Sequence, residues 1–108
     1  MNWRERFETE IQKAERARGR GNEGQARVCA RRAAGIAAAE FLARRGLSPA
    51  SRSALDALRQ LRREPALPSG LAPLLDHLVQ QVNTEFKLPP GVDLIDEASR
   101  LSELLLPR

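Results

Sequence analysis

The sequence has few cysteines, few aromatic residues and no long apolar run, and each shortage excludes a class of protein. Cys29 is the single cysteine, which excludes an intrachain disulfide. No apolar run approaches the roughly 20 residues of a membrane-spanning helix. The first 20 residues are dense in charge and lack the apolar region of a signal peptide. We therefore expect a soluble cytoplasmic protein.

The aromatic fraction is only 4% of the 108 residues, and tyrosine is absent. The core must therefore be built from leucine and alanine. No segment alternates β-branched and polar residues in the way that predicts a half-buried strand. These features predict an all-α fold. The length suits a single helical-bundle domain that covers residues 1–108, with one core.

The longest predicted helix covers residues 25–45, a proline-free stretch with eight alanines. Its large apolar side chains spread around the helix axis instead of following one stripe, which is typical of a central helix with several neighbours. Gly46 follows two arginines and is expected to end this helix. The apolar surface on many sides exceeds what one small bundle obviously covers, and it predicts a homodimer.

Four further helices are predicted from caps and apolar stripes, and together they give a five-helix up-and-down bundle built on a long antiparallel hairpin. The first begins after an N-cap at Asn2 and extends to about residue 18, and the third covers 49–63 after an N-cap at Ser48, with Pro49 at its first position. The fourth begins at Ser69 and has an apolar stripe over 71–86. The fifth begins after an N-cap at Asp93 and ends before Pro107.

The turn between the first two helices matches G-x-G-x-x-G at residues 19–24. A dinucleotide site needs a strand before those glycines, but an amphipathic helix precedes them here. We therefore predict a helix–helix turn in which glycine supplies a positive φ. Asn22 or Glu23 is expected to serve the amino end of the central helix.

The residues that could carry chemistry form no complete motif. His77 is the only histidine, and it falls opposite the stripe over 71–86, so we expect it in solvent with no nucleophile or metal ligand beside it. Asp93, Asp96 and Glu97 are explained by the amino end of the last helix. Cys29 is expected to be a small buried residue. We predict no catalytic residue, no metal site and no cofactor.

Charge is distributed unevenly around a formal net charge of +4. Residues 1–63 hold 15 Lys/Arg against 7 Asp/Glu, whereas residues 64–108 hold 3 against 7. This asymmetry indicates either an anionic partner or two halves of one bundle that attract each other. The candidate phosphate- or nucleic-acid-binding residues lie around the first turn: Arg16, Arg18, Arg20, Arg27 and Arg31. No aromatic residue is interleaved among them to stack bases.

Two segments resemble the HEPN domains. The first helix ends in A-E-x-A-R, and after the glycine turn the central helix contains A-R-R-A-A-G-I-A-A-A-E-F-L. The resemblance implies a HEPN-like helical bundle that forms a dimer. Active members of that family are metal-independent ribonucleases in which four to six residues separate an Arg from a following His. Here those positions before His77 hold Gly70, Leu71 and Ala72, so the resemblance implies no nuclease centre.

Three functional hypotheses follow. The first is a non-catalytic HEPN-like interaction module that self-associates or binds a protein partner, without contact with a membrane. The second is a bundle that binds RNA or nucleotide phosphates through the hairpin arginines, as one member of a toxin–antitoxin-like pair. The third is an unorthodox enzyme that uses His77 with a nearby arginine. We rank them in this order because the ribonuclease motif is missing.

Overall fold

A computed structural model describes residues 2–47, 53–65, 67–80 and 91–107, and these residues form helices joined by turns and loops. The five helices are α1 (Trp3–Gly19), α2 (Glu23–Arg44), α3 (Ala54–Arg62), α4 (Leu71–Val79) and α5 (Leu94–Leu105). The described part of the chain contains no strand. The predicted all-α fold with five helices is therefore confirmed.

Three helices begin at the side-chain caps that the sequence predicts. The Asn2 side chain accepts a hydrogen bond from the Glu5 backbone nitrogen at 2.8 Å. Asn22 accepts one from the backbone of α2 in the same way. Asp93 accepts from the backbone nitrogens of Ile95 and Asp96. Each bond satisfies an amide that has no partner within its own helix.

The α1–α2 hairpin is joined by a turn that requires glycine. Gly21 has φ +77°, and the next residue donates its backbone N–H to the Ala17 carbonyl at 2.8 Å. At the far end of α2, Gly46 has φ +74° and ends the helix as predicted. A side chain is strained at these φ values. The glycines therefore give a helix–helix turn and a helix end, as the sequence analysis expects.

Close backbone approach fixes the position of α3 against α2. A Cβ atom added at Gly35 would lie 2.5 Å from the Cβ of Ala54 and 2.6 Å from its Cα. Such distances leave no room for a side chain. Gly35 and the small residue at the start of α3 therefore set the separation of these two helices.

The central helix α2 contacts all four other helices, and the core surrounds it. Its buried residues are mostly alanines, whereas α3, α4 and α5 contribute mainly leucines. The fully buried large side chains are Leu42, Leu58, Leu61, Leu71, Leu75, Leu78, Leu94 and Leu101. Within the described residues, no helix is both long and apolar enough to cross a membrane.

The predicted start of the third helix is wrong. The helix begins at Ala54, with Ser53 as its N-cap in an extended conformation (ψ 132°), so no continuous helix covers 49–63. The predicted cap and proline, Ser48 and Pro49, lie outside the described residues. Three serines precede this helix, Ser48, Ser51 and Ser53, and serine preference alone does not rank them as N-caps.

The predicted extent of the fourth helix is also wrong. Helix α4 ends at Val79, and Gln80 is extended at φ −67° and ψ 119°. The helix also begins after Gly70, at φ +88°, without a side-chain cap. Val82 and Phe86 of the predicted stripe lie outside the described residues. The apolar periodicity over 71–86 therefore did not predict that the helix ends at Val79.

Candidate functional site

Among the predicted phosphate-binding arginines, Arg18 already has two carboxylate partners. Its guanidinium lies 2.6 Å from Glu23 Oε1 and 3.0 Å from Asp93 Oδ2. The hydrogen bond to Glu23 raises the pKa of Arg18 further above its ordinary value, and the same bond lowers the pKa of Glu23. Arg18 thus joins the hairpin turn to the start of α5, so a phosphate would have to displace these carboxylates.

The Arg31 side chain points toward the protein and donates hydrogen bonds to backbone carbonyls. Its Nε donates to the Leu78 carbonyl at 2.9 Å, and its Nη2 donates to the Gln80 carbonyl at 2.6 Å. Burial, followed by repulsion from Arg27, lowers the pKa of Arg31. A cation is favourable at the carboxyl end of a helix, where carbonyls lack partners. Arg31 therefore provides hydrogen-bond donors to two carbonyls at the carboxyl end of α4.

The other three predicted arginines have looser surroundings. Arg16 and Arg20 are exposed and Arg27 is partly buried. Arg16 donates to the Gln12 carbonyl one turn earlier at 3.4 Å. In the described residues, neither Arg20 nor Arg27 makes an ion pair. The structure therefore does not direct all five arginines at one point, and phosphate binding by the remaining three stays a prediction.

The prediction that His77 lies in solvent is wrong. The explanation of Glu97 by the amino end of α5 alone is also wrong. His77 Nδ1 lies 2.8 Å from Glu97 Oε1, and the two side chains are 28% and 10% exposed. Glu97 Oε2 is buried and has no hydrogen-bond partner. The pair connects α4 to α5. A helical wheel of α4 alone misses it because the partner comes from a packed neighbour.

The His77–Glu97 pair has the residues of a base and its orienting carboxylate. Such a pair needs a nucleophile or substrate proton within hydrogen-bond reach. No serine, cysteine or lysine is hydrogen-bonded to His77 in the described part of the chain. Across the same residues, no group of three or more His, Cys, Asp or Glu side chains could hold a metal ion. The contact that the structure does show is the link between α4 and α5.

Sequence reasoning did not identify the open groove between α1 and α5. Its volume is about 720 Å³. The floor is formed by Phe7, Ile11 and Leu106, and the walls carry polar residues that include Arg4, Gln12 and Glu103. The helices touch only slightly, because α5 packs mainly on α2 and α4. Ile11 is an apolar residue of α1 that is only partly buried, because the groove leaves part of its side chain uncovered.

The α1 wall of this groove is long enough to accommodate a short helix. The wall residues on α1 are Arg4, Glu8 and Gln12, which follow at four-residue spacing along one face. Eight residues of α-helix extend over about 12 Å, so the groove could hold about two turns of a second helix. Apolar floors with polar rims are how grooves recognise amphipathic helices.

The packing of α2 within its own chain covers much of the apolar surface from which the homodimer was predicted. The central helix buries ten residues against its own chain, including six alanines at 0% exposure between residues 26 and 38. Only Val28, Leu47 and Leu104 are large apolar side chains that are exposed among the described residues. Cys29 is buried, as expected. The homodimer stays a prediction that rests on the family resemblance.

Comparisons with known proteins do not assign this chain to a family. No protein-family model matches this chain, and neither a curated protein nor a solved structure is similar enough to match it.

Proposed function

We propose that this chain is a non-catalytic helical interaction module with a HEPN-like up-and-down bundle, and that its binding surface is the α1–α5 groove. The observation that supports it most strongly is the groove, which combines an apolar floor with polar walls on two helices. Concave clefts of several hundred cubic ångströms are typical of binding sites, and the lining of this one combines four apolar residues with six polar or charged residues.

The polar pairs elsewhere support the same proposal. Arg18, Arg31 and the His77–Glu97 pair all make contacts between helices. These groups stabilise the bundle, and none is aimed into the groove. The groove walls hold Arg4 and Glu103 but no histidine or cysteine, so they favour binding over chemistry.

The first part of the test concerns catalysis. We expect the purified chain to leave labelled single-stranded and double-stranded RNA intact, because His77 lacks the arginine of the ribonuclease motif and is held by Glu97. RNA cleavage that disappears in His77→Ala, with the fold retained by circular dichroism, would replace the proposal with the enzyme hypothesis.

The second part concerns the groove. A mixture of synthetic amphipathic helical peptides, some basic and some acidic, is titrated into the isotopically labelled chain and followed by backbone amide shifts in solution NMR. We expect shifts concentrated in α1 and α5 around Ile11 and Glu103. Absence of any shift at millimolar peptide, or shifts confined to other helices, would show that the groove is not an interaction surface.

A second copy of the chain is the simplest protein partner, since most oligomers of soluble proteins are symmetric. Sedimentation equilibrium over a wide concentration range distinguishes self-association from binding of a different protein. A single species of about 12 kDa at every concentration would exclude a second copy. A larger species that dissociates on dilution would identify the partner as the chain itself.

A further inference from the structure

We infer that the α1–α5 groove binds one amphipathic helix of a different protein, and that this helix carries basic residues beside its apolar stripe. The inference rests on the proposed function and names its partner class. It follows from three observations: the concave form of the groove, the acid on its α5 wall, and the absence of a matching free helix surface among the residues that the structure describes.

The shape requires a convex occupant. The groove has a floor of Phe7, Ile11 and Leu106 beneath two helical walls. Two such grooves placed face to face would leave space between their floors, because neither projects into the other. One helix of a partner can instead place apolar side chains at i, i+3 or i+4, and i+7 along the floor.

The chain itself offers no such helix among its described residues. The three exposed large apolar side chains lie on separate surfaces: Val28 in α2, Leu47 after that helix and Leu104 in α5. No two of them form an i, i+3 or i, i+4 pair on one helix. A folded second copy therefore has no free apolar stripe among these residues that could fill the groove.

The charges of the walls select the sign of the partner. Glu103 is exposed on the α5 wall and makes no ion pair with any residue that the structure describes. Arg4 lies on the opposite wall with its guanidinium carbon 4.5 Å from the centre of the Trp3 ring. Glu8 also lines the groove, so the lining carries two carboxylates against one guanidinium. A lysine or arginine of the partner would pair with Glu103 at the rim.

The test uses two labelled helical peptides with the same leucine stripe at i, i+3, i+4 and i+7 and either lysines or glutamates flanking it. Their affinities for the full chain are measured by fluorescence anisotropy at low salt. We expect the lysine peptide to bind about 2–5-fold more tightly than the glutamate peptide, the range for one exposed ion pair. Glu103→Arg should reverse this order.

Two variants check the location of binding. Ile11→Asp places a charge on the groove floor and should abolish binding of both peptides, whereas Val28→Asp, on an exposed position of α2 outside the groove, should leave binding unchanged. Because Glu103 is exposed, Glu103→Arg should fold normally. This variant therefore still tests the inference if Ile11→Asp does not fold.

The outcomes separate this inference from the proposed function. Equal or tighter binding of the glutamate peptide would overturn the basic partner while leaving the groove as a binding surface. Absence of binding by either peptide would overturn both. A dimer in sedimentation that either peptide dissociates would assign the groove to a second copy and contradict the inference of a different partner.

Discussion

The α1–α2 hairpin and the α3–α5 half of the protein are packed with different side chains. Apart from Phe7, Phe41 and Leu42, the hairpin buries only alanine, glycine and cysteine. The half formed by α3, α4 and α5 buries mainly leucine. Both regions contribute to one continuous core.

The difference indicates opposite sensitivities to mutation. Small residues let helix backbones approach closely, as at Gly35, where an added Cβ would meet Ala54. Such packing should tolerate no added atoms. Leucine-rich packing fills space with side chains, and there the loss of atoms leaves a cavity. Measurements on matched variants can confirm or contradict this distinction.

The largest expected effect is in the leucine-rich half. Leu78 is 0% exposed, and Leu78→Ala should lower the free energy of unfolding by about 2–5 kcal/mol through lost burial and a residual cavity. Urea denaturation monitored by circular dichroism measures it. Leu104, which is 40% exposed, serves as the control, and Leu104→Ala should cost below about 0.5 kcal/mol. Similar losses for both variants would contradict the assigned core.

Removal of the Arg31 side-chain bonds should have the next largest effect, since they join the hairpin to the leucine-rich half. Arg31→Met retains an apolar stem but removes both hydrogen bonds to the α4 carbonyls. We expect a loss of about 1.5–3 kcal/mol, the range for hydrogen bonds to a charged group. The neighbouring exposed Arg32→Met is the control, and a loss in Arg31→Met no greater than in this control would mean that Arg31 does not stabilise α4.

A substitution that adds a single methyl group tests the packing of the hairpin. Gly35→Ala should destabilise the protein by about 1–3 kcal/mol, because α2 and α3 must separate to admit the methyl group. At Gly24 the added Cβ would meet only one side-chain atom, at 3.9 Å. Gly24→Ala should therefore stabilise by about 0.5–1 kcal/mol through helix propensity. If both variants gain stability, the close contact at Gly35 is not present in solution.

The Arg18–Glu23 pair should give a smaller, pH-dependent effect. The pKa of Glu23 is lowered by the Arg18 hydrogen bond, so its contribution is present above about pH 4.3, the ordinary value of an unfolded glutamate. It is lost as the pH falls through the lower folded value. Because both side chains are about 40% exposed (39% and 42%), Glu23→Gln should cost below about 1 kcal/mol at pH 7. The difference between Glu23→Gln and wild type should disappear at low pH, and a difference that grows on acidification would contradict the sign.

The smallest effect concerns RNA. Under the RNA-binding alternative, we choose Arg20 and Arg27 because, among the described residues, their side chains make neither an ion pair nor a hydrogen bond, whereas Arg16 donates to the Gln12 carbonyl. If each neutralises one phosphate of single-stranded RNA, the double variant Arg20→Ala, Arg27→Ala should flatten the slope of log affinity against log salt by about 1.4. Filter binding at several salt concentrations measures it. No measurable binding by wild type at low salt would remove this alternative.

The sequence predicts the fold well where the signals are local. The caps at Asn2, Asn22 and Asp93 and the turn glycine Gly21 all depend on residues within a few positions along the chain. Amphipathic stripes likewise identified α1, α3, α4 and α5, and the alanine-rich, proline-free stretch identified α2. Local hydrogen bonding and backbone conformation thus account for the confirmed part of the prediction.

Apart from the start of α3, the wrong predictions depend on contacts between distant residues. The end of α4 is bound by Arg31, which lies 47 residues before Leu78. The partner of His77 is 20 residues away on another helix. The groove could not be predicted because the distance between α1 and α5 does not follow from the apolar stripe of either helix. Sequence periodicity indicates which face of a helix is buried, but not which residues meet there.

The two partners of Arg18 have a consequence for the order of folding. Glu23 is five residues away along the chain, whereas Asp93 is 75 residues away. Closing a short loop costs less chain entropy and occurs faster than closing a long one. We expect Arg18 to meet Glu23 while the hairpin is still forming and Asp93 only when α5 docks. The same guanidinium would then make its local contact early in folding and its long-range contact at the final closure of the chain.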